Sequence, residues 1–137
     1  MGRQGMTAVG PVERKECRER PVILLVEDEM IIAFDLHDRL ADCGYEVDGP
    51  YPSVARAMSA IGEVRPEAAI LDVQLTDGDV MPLADRLAEM NVPIIFHSGH
   101  AKPEFLKQRY PDAAICAKPC SVGTLEDSLR NMLVHSR

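Results

Sequence analysis

Short apolar runs, each closed by a polar group capable of chemistry, constrain this chain more than any other feature. Val22-Ile23-Leu24-Leu25-Val26 ends in Glu27-Asp28, Ala68-Ala69-Ile70-Leu71 ends in Asp72, and Val92 to Phe96 leads to Ser98. A further run, Ala113 to Ala117, is followed by Lys118-Pro119. Runs this short, with no polar residue alternating through them, belong to strands covered on both faces. Such strands lie parallel in one sheet, so their C-terminal ends share an edge, and open α/β sheets place their sites there. One site would then hold an acidic pair, a lone aspartate, a hydroxyl and a lysine.

The intervening segments have helical spacing. Met30 to Cys43 carries Ile32, Leu36, Leu40 and Cys43 on one face, and Gly44 stops it. Tyr45–Val47 reads as a short second strand, and Gly49-Pro50-Tyr51-Pro52 as a turn. Ser53 caps a helix through Ile61. Glu67–Asp72 is the third strand. Asp79 to Met90 is a helix with Leu83, Leu87 and Met90 on one face and Pro82 in its first turn. Val92–His97 is the fourth strand. The stretch Gly99 to Pro111 offers a short helical piece, Glu104 to Arg109. Ala113–Ala117 is the fifth strand, and Ser121 begins a last helix with Val122, Leu125, Leu129 and Met132 or Leu133 inward. The alternation predicts an α/β fold, a parallel sheet with helices on both faces.

At 137 residues the chain makes one domain with a full core. Its net charge of −7 argues against a nucleic-acid partner. No apolar stretch approaches the roughly 20 residues of a membrane span, and the first residues lack a signal peptide's apolar core. Cys17, Cys43, Cys116 and Cys120 form no paired metal pattern, so reduced thiols in a cytoplasmic protein are expected. Residues 1–20 differ from the rest, with five basic residues against three acids. They read as a flexible arm, leaving 21–137 as the folded domain.

The polar groups suit phosphoryl chemistry. Adjacent carboxylates repel, and a hard cation such as Mg²⁺ relieves that repulsion at Glu27 and Asp28. Asp72 can complete the ligand set with a backbone carbonyl just beyond it. Asp72 is also the candidate nucleophile, since a carboxylate can accept a phosphoryl group as an acyl phosphate. Lys118 would neutralise one phosphoryl oxygen and Ser98 would donate a hydrogen bond to another. Each residue has an ordinary alternative: Asp28 as a helix cap, Lys118 on the surface, Ser98 as a turn serine beside Gly99. Their occurrence together, in this order, favours the site. His37 lies on the first helix between Asp35 and Asp38. His97 and His100 flank Ser98, as loop or partly buried residues or as a source of pH sensitivity.

Leu25-Val26-Glu27-Asp28-Glu29, Leu71-Asp72-Val73, Ser98-Gly99 and Lys118-Pro119 together resemble the receiver domain of two-component response regulators. The resemblance covers residues 21–137. It implies a flavodoxin-like fold with strand order 2-1-3-4-5, Mg²⁺ binding, a cis Lys118–Pro119 bond, and phosphorylation of Asp72 by a histidine kinase or a histidine phosphotransfer protein. A narrower resemblance runs from Asp72-Val73-Gln74-Leu75 through Val80 to Asp85 and Val92 to Phe96, then Ser98-Gly99. This is similar to stand-alone alphaproteobacterial receivers with a Phe-Ala-Thr-Gly-type motif and a reduced fourth helix. Here Phe96 and Gly99 match, Ser98 replaces Thr and His97 replaces Ala. Receivers often carry an aromatic switch residue where this chain has Ile115, so readout is expected through Ser98, Gly99, His100 and the loop to Pro111. Gln74 is expected to give its backbone carbonyl to the metal and to tune dephosphorylation. The implied protein is a single-domain response regulator, monomer or weak dimer, acting as phosphorelay shuttle, sink or switch on a downstream protein, and not an enzyme. Two other readings remain open at this point. One is a phosphorylation-independent interaction module. The other is a small Mg²⁺-dependent phosphatase of the haloacid dehalogenase type, which would want a carboxylate at Gln74 and its nucleophile after the first strand.

Overall fold

A computed structural model describes residues 20–75, 78–99, 103–118 and 120–136. The arm at 1–19, Cys17, His100 and Pro119, with the expected cis Lys118–Pro119 bond, lie outside the described residues. In chain order the elements are β1 (Val22–Val26), α1 (Met30–Asp42), β2 (Glu46–Tyr51), α2 (Val54–Ile61), β3 (Ala68–Asp72), β4 (Gln74–Leu75), β5 (Gly78–Asp79), α3 (Met81–Glu89), β6 (Ile94–Ser98), α4 (Pro103–Arg109), β7 (Ala114–Ala117) and α5 (Val122–Ser136).

Five strands form one sheet in the order β2-β1-β3-β6-β7, and every neighbouring pair is parallel. Counting the long strands alone, this is the expected order 2-1-3-4-5. The two-residue strands β4 and β5 form a separate antiparallel hairpin directly after Asp72. Two apolar layers sandwich the sheet. On one face Leu24, Leu71 and Phe96 pack with Ala57, Leu83, Leu87 and Leu106 of α2, α3 and α4. On the other, Ile23, Leu25, Ile70 and Ile95 pack with Leu36, Leu40, Leu125 and Leu129 of α1 and α5. Burial on both faces is why β1, β3 and β6 read as unbroken apolar runs.

The local signals act as the side chains require. Ser53 Oγ accepts a hydrogen bond from Arg56 N–H at 3.2 Å and so caps α2. Gly44, at φ 98°, follows the C-cap of α1 in a conformation that costs glycine little. Ser121 Oγ accepts from Thr124 N–H at 3.1 Å at the start of α5.

One expectation is corrected. Gly49 and Pro50 do not turn the chain; they continue β2 to Tyr51. The strand is at the sheet's edge, where proline's missing N–H is tolerated. Its register shifts between the partners of Leu24 and Val26, which absorbs the irregular pair. A Cβ at Gly49 would stand 2.5 Å from the backbone oxygen of Leu25, so this approach requires glycine. The fourth helix is short, seven residues from Pro103 to Arg109, as the weak helical signal there suggested.

Candidate functional site

The C-terminal ends of β1, β3, β6 and β7 bring Glu27, Asp72, Ser98 and Lys118 to one edge of the sheet. Side chains alternate between faces along a strand. Asp72 therefore lies on the same face as Ile70, and His97 on the same face as Ile95, above the core shared with α1 and α5. Asp72 pairs in register with His97, and His97 with Cys116. Ser98 alternates to the opposite side, and its carbonyl accepts from Lys118 N–H at 2.7 Å, which ties the ends of β6 and β7 together.

Asp72 is 2% exposed and Glu27 1% exposed, a degree of burial that charged side chains tolerate when paired. The pairing comes from Lys118. Its Nζ lies 3.4 Å from Glu27 Oε2, 3.3 Å from Asp72 Oδ2 and 3.0 Å from Glu29 Oε1. Glu27 Oε2 also accepts the Glu29 backbone N–H at 3.2 Å. Burial by itself pushes the Glu27 carboxyl upward. Its interactions with His97 and Asp72, the Glu29 N–H and the Lys118 charge outweigh that and hold it at about 2. Burial likewise works against the Lys118 ammonium, but Glu29, Asp72 and Glu27 win and raise its pKa.

Glu27, Glu29 and Asp72 each offer a carboxylate oxygen within 4.8 Å of the others. Hard oxygen donors gathered this closely fit Mg²⁺. A positively charged side chain already sits among them, which is the electrostatic demand a cation would meet. Glu29 is the member that sequence reasoning missed. It directly follows the acidic pair and passes for a solvated residue at a helix start; it is the N-cap residue of α1, with no side-chain capping bond. Asp28, expected as a ligand, is half-buried beside the group and is not one of its three members. Gln74 stands in β4, two residues past Asp72.

The remaining predicted positions divide cleanly. Gly99 is exposed, and a Cβ there would meet Lys118 Cβ at 3.9 Å, an ordinary contact. Ile115 is partly buried against the core that contains Phe96, its register partner. His97 lies in β6, within the fourth strand as the run Val92–His97 predicts, and at 3% exposed it is fully buried, not a loop or partly buried residue. His37 pairs with Asp38 at 3.1 Å on α1, apart from the site residues in sequence and partner. Cys43, Cys116 and Cys120 are free thiols, exposed, buried and half-buried respectively. Asp72 closes the third strand, at the centre of the sheet, and not the first as the phosphatase reading would want.

Comparison with known proteins agrees with this geometry. Residues 23–130 match the response regulator receiver domain. The phyllosphere-induced regulator PhyR of Methylorubrum extorquens is 32% identical over 100 residues, covering 71% of this chain and 38% of PhyR. The chain thus spans well under half of that relative. The crystal structure of a response regulator receiver protein from Sinorhizobium medicae superposes with a TM-score of 0.79 at 27% identity, covering 88% of this chain and 99% of that one. The solution structure of SdrG from Sphingomonas melonis gives a TM-score of 0.69 at 30% identity, covering 83% and 97%. Receiver domains generally bind Mg²⁺ through acidic residues and interact with histidine kinases and downstream proteins. No described helix is long and apolar enough to cross a membrane. With its parallel five-stranded sheet and the acids, hydroxyl and lysine at its C-terminal edge, this chain belongs to the response regulator receiver domain family.

Proposed function

We propose that the chain is a phosphoacceptor of two-component signalling, loaded on Asp72 by a histidine kinase or a histidine phosphotransfer protein. The observation that carries this reading is the placement of Asp72: buried at the end of the central strand, with Lys118 Nζ at 3.3 Å. An Asp72 carboxylate oxygen forms a bond to phosphorus while the P–N bond of a phosphohistidine breaks. The electron pair of that bond stays on the imidazole nitrogen. The product is an acyl phosphate.

The transferring group carries its charge on peripheral oxygens, so positive charge and in-line placement matter most. Lys118 supplies one fixed charge, and the Ser98 hydroxyl donates a hydrogen bond to a phosphoryl oxygen. Glu27, Asp28 and Asp72, with the Gln74 carbonyl, would hold Mg²⁺, and Glu29 adds a further oxygen to that donor set. When bound, the ion supplies charge neutralisation that one lysine alone does not. Gln74 tunes dephosphorylation by controlling the access of water to the acyl phosphate.

Readout runs through Ser98, Gly99, His100 and the short α4 region, because Ile115 offers no rotating aromatic ring. Phosphorylation shifts an existing equilibrium between two arrangements of this region. The receiver unit is residues 21–137, and residues 1–20 stand outside it. It acts in the cytoplasm as a single-domain shuttle, sink or protein-binding switch, as monomer or weak dimer, and turns over no substrate of its own beyond its phosphoryl group.

The test is Mg²⁺-dependent labelling by a small-molecule phosphodonor, followed by intact-mass measurement, with Asp72→Asn beside the wild type. One added phosphoryl group in the wild type and none in Asp72→Asn is expected. Equal labelling of both, or none in either, defeats the reading.

A further inference from the structure

Among the described residues four polar side chains are deeply buried: Glu27, Asp72, Ser98 and His97. The first three have places in the phosphoacceptor site. His97 has none, although it is 3% exposed, and neither ring nitrogen has a hydrogen-bond partner among the described residues. A buried imidazole left unsatisfied costs stability, and an apolar residue would be cheaper at this position of β6. The ring therefore needs an explanation outside packing.

Its geometry supplies one. His97 Nδ1 lies 3.7 Å from Glu27 Oε1, within reach of charge attraction but longer than a hydrogen bond. The other oxygen of the same carboxylate, Oε2, faces Lys118 Nζ at 3.4 Å and accepts the Glu29 N–H at 3.2 Å. The Glu27 carboxylate thus has two sides. Oε2 is turned to the cluster of Glu29, Asp72 and Lys118, and Oε1 to the core, where His97 stands. Carboxylates that hold a metal are commonly fixed by a polar partner behind them, and loss of such a partner weakens metal affinity about 10–100-fold.

We propose that His97 is a positioning residue of the cation site. Through Nδ1–H it anchors Glu27 from the core side, so that Oε2 stays presented to the ion. Closing 3.7 Å to hydrogen-bond length takes a shift of roughly 0.7 Å, which a side-chain adjustment of Glu27 provides. The anchor needs a proton on Nδ1 and nothing further, so it works with a neutral ring. The proposal rests on the Mg²⁺-binding receiver reading above.

The experiment is a Mg²⁺ titration of the whole chain without phosphodonor, followed by backbone amide shifts in NMR. Wild type, His97→Leu, His97→Val and His97→Asn are compared. The two apolar variants suit a buried strand, and either one suffices if the other does not fold. Asparagine keeps an N–H donor close to the place of Nδ1. The apolar variants are expected to bind Mg²⁺ at least about tenfold more weakly, and His97→Asn to lie within about threefold of wild type. In wild-type protein the His97 ¹⁵Nδ1 signal is expected to move as Mg²⁺ saturates. Unchanged affinity in the apolar variants overturns the proposal, as does an equal loss in His97→Asn, which marks a packing role. Wild type that shows no saturable Mg²⁺ response defeats the receiver reading itself, and this proposal with it.

Discussion

The Lys118 ammonium stands 3.0 Å from Glu29 Oε1, nearer than to Asp72 at 3.3 Å or Glu27 at 3.4 Å. The lysine thus bridges two buried acids and one that is 59% exposed. Three carboxylates surround one ammonium, so the ammonium is over-compensated and its pKa is raised against the opposing effect of burial. Glu29→Gln removes the nearest partner. Because that partner is exposed and screened, the stability change should stay within about 1 kcal/mol. The Lys118 pKa should fall, however, as followed by the ¹³Cε shift of that lysine during an alkaline NMR titration. The sign follows from linkage: a raised lysine pKa stabilises the fold below the unfolded value and loses that contribution as pH rises through the folded one. Glu29→Gln should therefore flatten the alkaline limb of the stability curve. An unmoved Lys118 titration would show that Glu29 is a bystander.

Removing the lysine itself is a different matter. Lys118→Met leaves Glu27 and Asp72 buried, at 1% and 2% exposed, without a compensating charge. Breaking a buried pair from one side costs about 3–5 kcal/mol. Urea unfolding in the presence of a chelator should show a loss of that order. Mg²⁺ should restore much of it, since an ion that binds the folded state alone stabilises by mass action. A variant as stable as wild type in chelator would mean that the two acids do not depend on Lys118.

Much of this architecture was legible in the sequence because burial leaves a plain trace. β1, β3 and β6 are covered on both faces, so nothing polar interrupts them until the chemistry at their ends. Asp72 and Ser98 were legible for the same reason, as the residues that close β3 and β6, and Lys118 as the residue after the short apolar run of β7. The misses have physical causes. Gly49-Pro50 carries the composition of a turn, and only an edge position with a register shift lets it continue a strand. The hairpin of β4 and β5 has two residues per strand, too few for any periodic pattern. Glu29 shows no sequence mark that separates it from a solvated helix start. The sequence puts His97 at the end of the fourth strand, but a histidine next to serine and glycine gives no sign of full burial, and the strand runs one residue further, through Ser98.

A cluster away from the phosphoacceptor edge fixes the shortened α4. Tyr110, 6% exposed, donates from its hydroxyl to Asp85 Oδ1 on α3 at 2.6 Å and packs against Phe96 with ring centroids 5.3 Å apart. Arg109 donates to both oxygens of the same carboxylate, at 3.2 and 2.7 Å. Tyr110→Phe keeps the ring contact and removes the hydroxyl. Replacing a hydrogen bond to a charged acceptor should cost about 1.5–3 kcal/mol in chemical denaturation. Asp85→Asn weakens the same bond and also the Arg109 pair. In a double-mutant cycle the two changes should be less than additive, with a coupling energy of at least about 0.5 kcal/mol. Strict additivity would mean that the clamp is not a unit.

The tyrosines also give the chain a spectroscopic signature. It has three, at 45, 51 and 110, and no tryptophan, so phenolate absorbance in the near ultraviolet reports them without interference. Each is pushed up to about 12. For Tyr45 the causes are burial and then its hydrogen bond to Glu126; for Tyr51 the bond to Asp48 and then burial; for Tyr110 burial and then Asp85. A raised phenol pKa means that the fold prefers the neutral ring. That preference stabilises the protein fully below about 10, the unfolded value, and is lost as pH climbs towards 12. The folded chain should therefore show little phenolate at pH about 10, where half of a free phenol is ionised. In concentrated urea all three should titrate near that value. Tyr110→Phe should remove one third of the total phenolate change. A native titration centred near that of a free phenol would show that these hydroxyls are not held by their carboxylate partners.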